Sequence, residues 1–148
     1  MLTKSNRGRL SLLVVTFTVG LAVCCDASST GHGSLDRKKR MSLHQAERLV
    51  HEVLGDRGNE HALEPYEPLS PEFYGFEVVV SNPGGSAVIG GYMVNPWNGD
   101  VWNSSDPCHL VETPALKKLQ EAVGRRLRLS KEELVVANAL KPFCADSQ

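Results

Sequence analysis

The sequence predicts an α+β domain in which an N-terminal helix packs on a three- to four-stranded antiparallel sheet, followed by two C-terminal helices. In residues 73–103, apolar runs of high strand propensity alternate with glycine-, proline- and asparagine-rich turns. An apolar stripe at helical spacing precedes them over residues 42–54. The 148 residues are 41% hydrophobic and 22% charged, which suffices for one packed domain and a leader.

The leader, residues 1–27, has the features of a secretory signal peptide. Three basic residues, Lys4, Arg7 and Arg9, precede an apolar run over residues 10–25. That run is shorter than the roughly 20 apolar residues of a spanning helix, which disfavours an uncleaved membrane anchor. We therefore expect a secreted or periplasmic protein.

Two cleavage sites remain open within this leader. Residues 25–27, Cys-Asp-Ala, suit ordinary secretion, the interpretation we prefer. Residues 21–24, Leu-Ala-Val-Cys, resemble a bacterial lipobox, except that Val23 stands where Gly, Ala or Ser is usual. In that alternative Cys24 carries a lipid that attaches the protein to the membrane.

Charge and composition indicate how the rest of the chain is divided. Residues 28–41 are small, polar and basic and predict a flexible linker, in which residues 37–40 are either a solvated charge run or a dibasic processing site. Residues 42–144 form the single domain. The formal net charge is −1, so there is no electrostatic case for nucleic acid as a partner.

The body of the chain contains two cysteines, Cys108 and Cys144. An even pair in an exported domain predicts a disulfide, with two buried free thiols as the alternative.

The first helix is predicted from its capping residues and its stripe. Ser42 and Gln45 fit a capping box, and Gly55 suits the C-terminal cap. One such helix cannot bury its apolar stripe alone, so it must lie on the sheet. The stripe contains Leu43, Ala46, Leu49, Val50, Val53 and Leu54.

A proline-rich loop over residues 56–71, part of it extended along a sheet edge, leads into the sheet. Tight turns at residues 81–85 and 95–99 join the strands. The strands are predicted at residues 73–80, 87–94 and 101–103.

Two C-terminal helices follow the sheet. Thr113 and Pro114 begin the first, and residues 124–126 are predicted to end it. Ser130 and Glu133 fit a second capping box, which begins a helix that ends before a proline.

Residues 42–103 resemble a PepSY-type domain. The resemblance rests on the order helix, loop, strand, turn, strand, and on residues 94–101, which are similar to the family pattern Val-Asp-x-x-Thr-Gly-Glu-Val. The chain departs from it at Asn95, Asn98 and Asp100. The resemblance implies a small extracytoplasmic module that inhibits peptidases or restrains protein partners.

The same order of elements is similar to the cystatin fold, whose hairpin loops enter a protease cleft. Pro96 and Trp97 match the Pro-Trp pair of one such loop, but residues 81–85 lack the Gln-x-Val-x-Gly pattern of the other.

We expect partner binding at the two hairpin turns, because loops on a rigid sheet vary without harming the core. The candidates are Pro83 and Gly84 in one turn and Pro96, Trp97 and Asn98 in the other. Trp97 is either an exposed aromatic anchor or a core residue.

No catalytic, metal or cofactor motif is recognisable in the sequence. His44 and His51 are seven residues apart, too far for one metal ion, and no nucleophile motif is present. Asn103 begins a glycosylation sequon, which matters only in a eukaryotic source.

The sequence thus predicts an exported, non-enzymatic binding or inhibitory module without a cofactor, acting on a protein or peptidase partner. The alternatives are a cystatin-like peptidase inhibitor, a structural envelope lipoprotein and a small hydrolase.

Overall fold

The computed structural model describes residues 35–146 and shows an α+β domain built on a five-stranded antiparallel sheet. The leader, Cys24 and residues 28–34 lie outside the described residues. None of the helices in the described range is long and apolar enough to cross a membrane. The elements are α1 (Leu43–Leu54), β1 (Ala62–Tyr66), β2 (Tyr74–Asn82), β3 (Gly85–Val94), β4 (Val101–Asn103), β5 (His109–Leu110), α2 (Pro114–Leu127), α3 (Lys131–Ala139) and α4 (Phe143–Asp146).

The sheet is a meander in which each strand pairs with the next one along the chain, in the order β1-β2-β3-β4-β5. The three predicted strands are confirmed as β2, β3 and β4. The sheet gains two edge strands: β1, from the loop expected to run extended, and the two-residue β5. β1 contains Pro65, and an edge strand is where a sheet tolerates proline.

Helix α1 begins and ends as predicted and covers one face of the sheet. The Ser42 side chain accepts from the Gln45 backbone N–H, and the Gln45 side chain reaches back to the Ser42 backbone. Gly55 follows the helix at φ +58°, which glycine adopts without strain. The buried core contains Met41, Ala46, Leu49, Val50, Leu54, Phe76, Val78, Val94, Val101 and Leu116.

The C-terminal helices also follow their capping residues. The Thr113 hydroxyl accepts from the Leu116 N–H at the start of α2, and Ser130 and Glu133 form the capping box of α3. The end predicted for α2 at residues 124–126 is confirmed to within one residue, and Arg125 and Arg126 lie in its last turn. The helix continues to Leu127, because Arg128 rather than Gly124 takes the left-handed conformation, at φ 50°.

The flexible linker expected over residues 28–41 does not extend through residues 35–41, which pack on the domain. Met41 is 1% exposed and belongs to the core. Lys39 Nζ lies 2.7 Å from Glu133 Oε2, and this contact holds the pKa of Glu133 below its ordinary value. The basic run is therefore partly engaged. Its partner lies 94 residues away in the sequence, so composition could not reveal it.

The predicted disulfide between Cys108 and Cys144 is confirmed, with a Cα–Cα distance of 5.7 Å. Next to it, the Phe143 N–H donates to the Ser70 hydroxyl at 2.7 Å. Two adjacent residues of α4 therefore tie the loop before β2 to the segment before β5.

Candidate partner-binding surface

The turn at residues 95–99, which the sequence offered as an exposed binding loop, is buried. Trp97 is 4% exposed and Pro96 is fully buried. The Trp97 indole N–H donates to the Asp36 backbone oxygen at 3.3 Å, and the Arg40 guanidinium lies 5.2 Å from the indole ring. The expectation that Trp97 is an exposed anchor is therefore wrong: it is a core residue that fixes the N-terminal segment.

The buried amide of Asn95 explains how this turn joins α3. Asn95 is 0% exposed, and its Nδ2 donates to the Ala137 carbonyl at 2.8 Å. Its Oδ1 accepts from the Trp97 backbone N–H at 3.0 Å. One side chain thus satisfies a backbone group in the turn and another in α3, as buried polar groups require.

Other polar contacts complete the same junction. Asn98, half-buried, donates to Asn138 of α3 at 3.0 Å, and Gln120 of α2 donates to the Gly99 carbonyl at 3.0 Å. The Met41 N–H donates to the Pro96 carbonyl. Because Pro96 and Trp97 are held inside this junction, they cannot enter a protease cleft as a cystatin loop does without unpacking the fold.

The other turn is exposed, as expected of Pro83 and Gly84. The exposure continues along both strands through residues 81–89, which we call the hairpin tip. Its two large apolar side chains, Val88 and Ile89, are 56% and 58% exposed. The hairpin tip contains no charged residue. It is therefore a neutral, partly apolar surface of the kind that a protein partner covers.

The register of the sheet explains why the hairpin tip protrudes. β1 pairs with β2 only as far as Val79, and β4 pairs with β3 only from Tyr92 onward. A register shift between Val78 and Val79 leaves Ile89 as the extra residue of a β-bulge. Periodicity predicted the strands but could not show that their outer ends lie beyond the neighbouring strands.

A cavity of about 230 Å³ lies at the base of the hairpin tip. We call it the basic cavity, because its charged lining residue is Arg57 and His61 lies beside it. Ile89 also lines it, so it adjoins the exposed apolar surface. This cavity could not be predicted from the sequence, because its lining residues come from α1, the segment between α1 and β1, strands β2 to β4, and the segment after β4.

A second cavity, of about 440 Å³, lies between β5 and the start of α2. Asp100 and Glu112 line it. Burial raises the pKa of Asp100, and the Glu112 carboxylate adds to that effect, whereas the hydrogen bond from Asn98 opposes it. Both Asp100 oxygens accept from side chains of the turn junction, Asn98 and Gln120, which indicates a structural role.

Residues 35–146 contain no group of three or more His, Cys, Asp and Glu side chains that could hold a metal ion.

Comparison with known proteins identifies a fold relative. No family model and no curated protein matches the chain. A solved structure does: a chain of a type VI secretion system effector-immunity complex from Pseudomonas protegens, with a TM-score of 0.53 and 17% sequence identity. The match covers 74% of this chain and 98% of that chain. At this identity the likeness shows a shared fold.

Proposed function

We propose that the protein is an exported, non-enzymatic module that binds another protein outside the cytoplasm. The observation that carries this proposal is the hairpin tip, an uncharged surface with exposed Val88 and Ile89 on a rigid sheet. Exposed apolar side chains in an uncharged stretch favour a partner that buries them, whereas the exposed pair Leu134 and Val135 directly follows the charged residues 131–133. The buried turn at residues 95–99 leaves the hairpin tip as the better of the two turns for this role.

Two further findings support this proposal. The Cys108–Cys144 disulfide suits an oxidising compartment outside the cytoplasm. The fold relative comes from a complex of an effector with an immunity protein, which are two protein partners. Both findings are consistent with a module that neutralises or restrains a protein partner. The PepSY-type resemblance adds a peptidase as the partner class.

The test is photo-crosslinking in cells that export the full chain. A photoreactive amino acid replaces Val88 in the hairpin tip or, as the control, Val135 on α3. Val135 is a matched site because it is also an apolar residue and is 69% exposed. We expect a discrete crosslinked adduct from position 88 and none of that size from position 135.

A second variant separates binding from folding. Val88→Thr with Ile89→Thr keeps strand propensity but removes apolar surface. We expect loss of the adduct formed from a crosslinker at Ser86, with the free energy of unfolding changed by less than about 1 kcal/mol because both side chains are exposed. Equal amounts of adduct from positions 88 and 135 would contradict the proposed surface. An undiminished adduct from position 86 in the double variant would also contradict it.

A further inference from the structure

We propose that the basic cavity receives the carboxylate of an aspartate or glutamate side chain from the bound partner. This inference rests on the proposed function, since it names the chemistry of the partner at the base of the hairpin tip. The cavity is lined by Leu54, Arg57, His61, Val78, Ile89, Gly90, Tyr92, Asn103 and Ser105.

The residues that line the cavity have the charge and the hydrogen-bonding groups that suit an anion. The described lining has one permanent cation, Arg57, and the polar side chains of Tyr92, Asn103 and Ser105, whose chemistry allows them to donate hydrogen bonds. None of the described residues that line it is an aspartate or a glutamate. A carboxylate entering the cavity therefore meets a cation and several donors, and no like charge among the lining residues.

Two side chains that line the cavity, Arg57 and His61, have groups that form no ion pair or hydrogen bond within residues 35–146. Arg57 is exposed at the mouth of the cavity lining, and between residues 35 and 146 its guanidinium forms no ion pair, so it can pair with an incoming carboxylate. His61 Nδ1 is buried and has no hydrogen-bond partner among residues 35–146. Buried polar atoms are nearly always paired, so this imidazole has hydrogen-bonding capacity that a ligand and a small ring movement would satisfy.

A carboxylate fits this site better than a phosphate. A single guanidinium fork matches the two oxygens of one carboxylate and balances its single charge. A phosphate near neutral pH carries up to two charges, and among the described lining residues only Arg57 is a permanent cation. The volume of about 230 Å³ is below the range typical of small-molecule sites and suits one side chain.

The position of the cavity makes a partner side chain the source of that carboxylate. Ile89 belongs both to the hairpin tip and to the cavity wall, and Gly90 follows it directly. A partner that covers Val88 and Ile89 therefore lies at the cavity. We expect one acidic residue of that partner to reach Arg57 at the edge of the apolar contact.

The test uses small probes, so it does not depend on knowing the partner. The exported protein, purified with its disulfide intact, is titrated with N-acetyl-aspartate amide, N-acetyl-asparagine amide or inorganic phosphate and followed by amide NMR. We expect saturable shifts at Arg57, His61 and Asn103 with the aspartate probe, and binding at least about tenfold weaker with the uncharged asparagine probe. No saturable shift, equal binding of the two amides, or tighter binding of phosphate would overturn the inference.

Variants locate the site. Arg57→Gln removes the cation, and Gly90→Val adds a branched side chain at the cavity wall, where the added Cβ lies 3.9 Å from Ser105 Oγ, an ordinary contact distance. Both should weaken aspartate-probe binding by about tenfold or more, since they remove the charge-assisted pair or its space. Arg126→Gln, at an exposed arginine of α2, is the matched control and should bind as wild type does. Wild-type binding by Arg57→Gln would refute the site.

The two proposals fail separately. An adduct at position 88 without aspartate-probe binding would support the hairpin tip as a partner surface and contradict the basic cavity as a carboxylate site. Probe binding without an adduct keeps an anion site and rejects the partner surface that this inference requires.

Discussion

Replacing Asn95 by aspartate tests whether one buried amide holds the sheet to α3. In the folded protein its Nδ2 donates to the Ala137 carbonyl at 2.8 Å, and Asn95 is 0% exposed. The substitution Asn95→Asp keeps the oxygen that accepts from Trp97 but puts a second oxygen where the donor was. The PepSY-type pattern has aspartate at this position, so the test also asks why this chain departs from it.

The magnitude follows from two losses. The Ala137 carbonyl loses its donor while buried, which costs about 1–3 kcal/mol. The new carboxyl has no cation among its described contacts, so burial raises its pKa, and each unit of that rise costs about 1.4 kcal/mol at neutral pH. We expect Asn95→Asp to lower the free energy of unfolding by about 3–5 kcal/mol at pH 7.

The pH dependence separates charge from packing. Because the folded pKa of the introduced carboxyl is raised, its destabilising effect is largest above that pKa and shrinks as the pH falls through it. The protonated carboxyl also regains a donor for the Ala137 carbonyl. Asn95→Ala, which removes both hydrogen bonds without adding a charge, is the control and should show no such recovery.

The assay is urea unfolding of the exported, disulfide-bonded protein at pH 7 and pH 5, followed by circular dichroism. Should Asn95→Asp be too unstable to purify, Asn95→Ala still reports the loss of the amide contacts, by about 2–4 kcal/mol. Either variant unfolding within about 0.5 kcal/mol of wild type, or Asn95→Asp losing more stability at pH 5 than at pH 7, would refute this account of the junction.

Three further predictions concern stability. Trp97→Ala should lower the free energy of unfolding by about 3–5 kcal/mol, whereas Val88→Ala should change it by about 0.5 kcal/mol, and similar losses would show that Trp97 is not core. Because burial raises the pKa of Asp100, wild type should gain stability relative to Asp100→Asn as the pH falls through that pKa toward 3.8; a gain with rising pH would contradict this. Replacing Cys108 and Cys144 together by serine should lower stability by about 3–4 kcal/mol, and thiol labelling of exported wild type should find neither cysteine free.

The elements predicted from the sequence are those determined by local contacts. Ser42 with Gln45 and Ser130 with Glu133 act over three residues, so their capping boxes are readable in the sequence. The central strands follow from β propensity and from the turn between them. The edge strands were harder to predict, because β5 has only two residues and β1 contains Pro65, which sequence rules count against a strand.

The candidate site was only half predicted, because exposure depends on distant parts of the chain. The turn at residues 95–99 was recognised as a turn, but its burial requires Asp36, Gln120 and Ala137, which lie 21 to 61 residues from their partners. The parts of β2 and β3 that lie in the core and the parts that lie outside it have a similar pattern of apolar residues in the sequence. No local pattern reveals that Val88 is exposed because β4 pairs with β3 only from Tyr92 onward.

The contact between Asp36 and Trp97 lies at one end of β3, and the hairpin tip lies at the other. The N-terminal segment contacts the domain at the turn of residues 95–99, which follows the C-terminal end of β3. The hairpin tip lies at the other end of that strand, about 30 Å away for ten residues in extended form. A substitution at Trp97 and one at Val88 should therefore have additive effects on stability, because the two sites lie far apart along β3 and share no described contact.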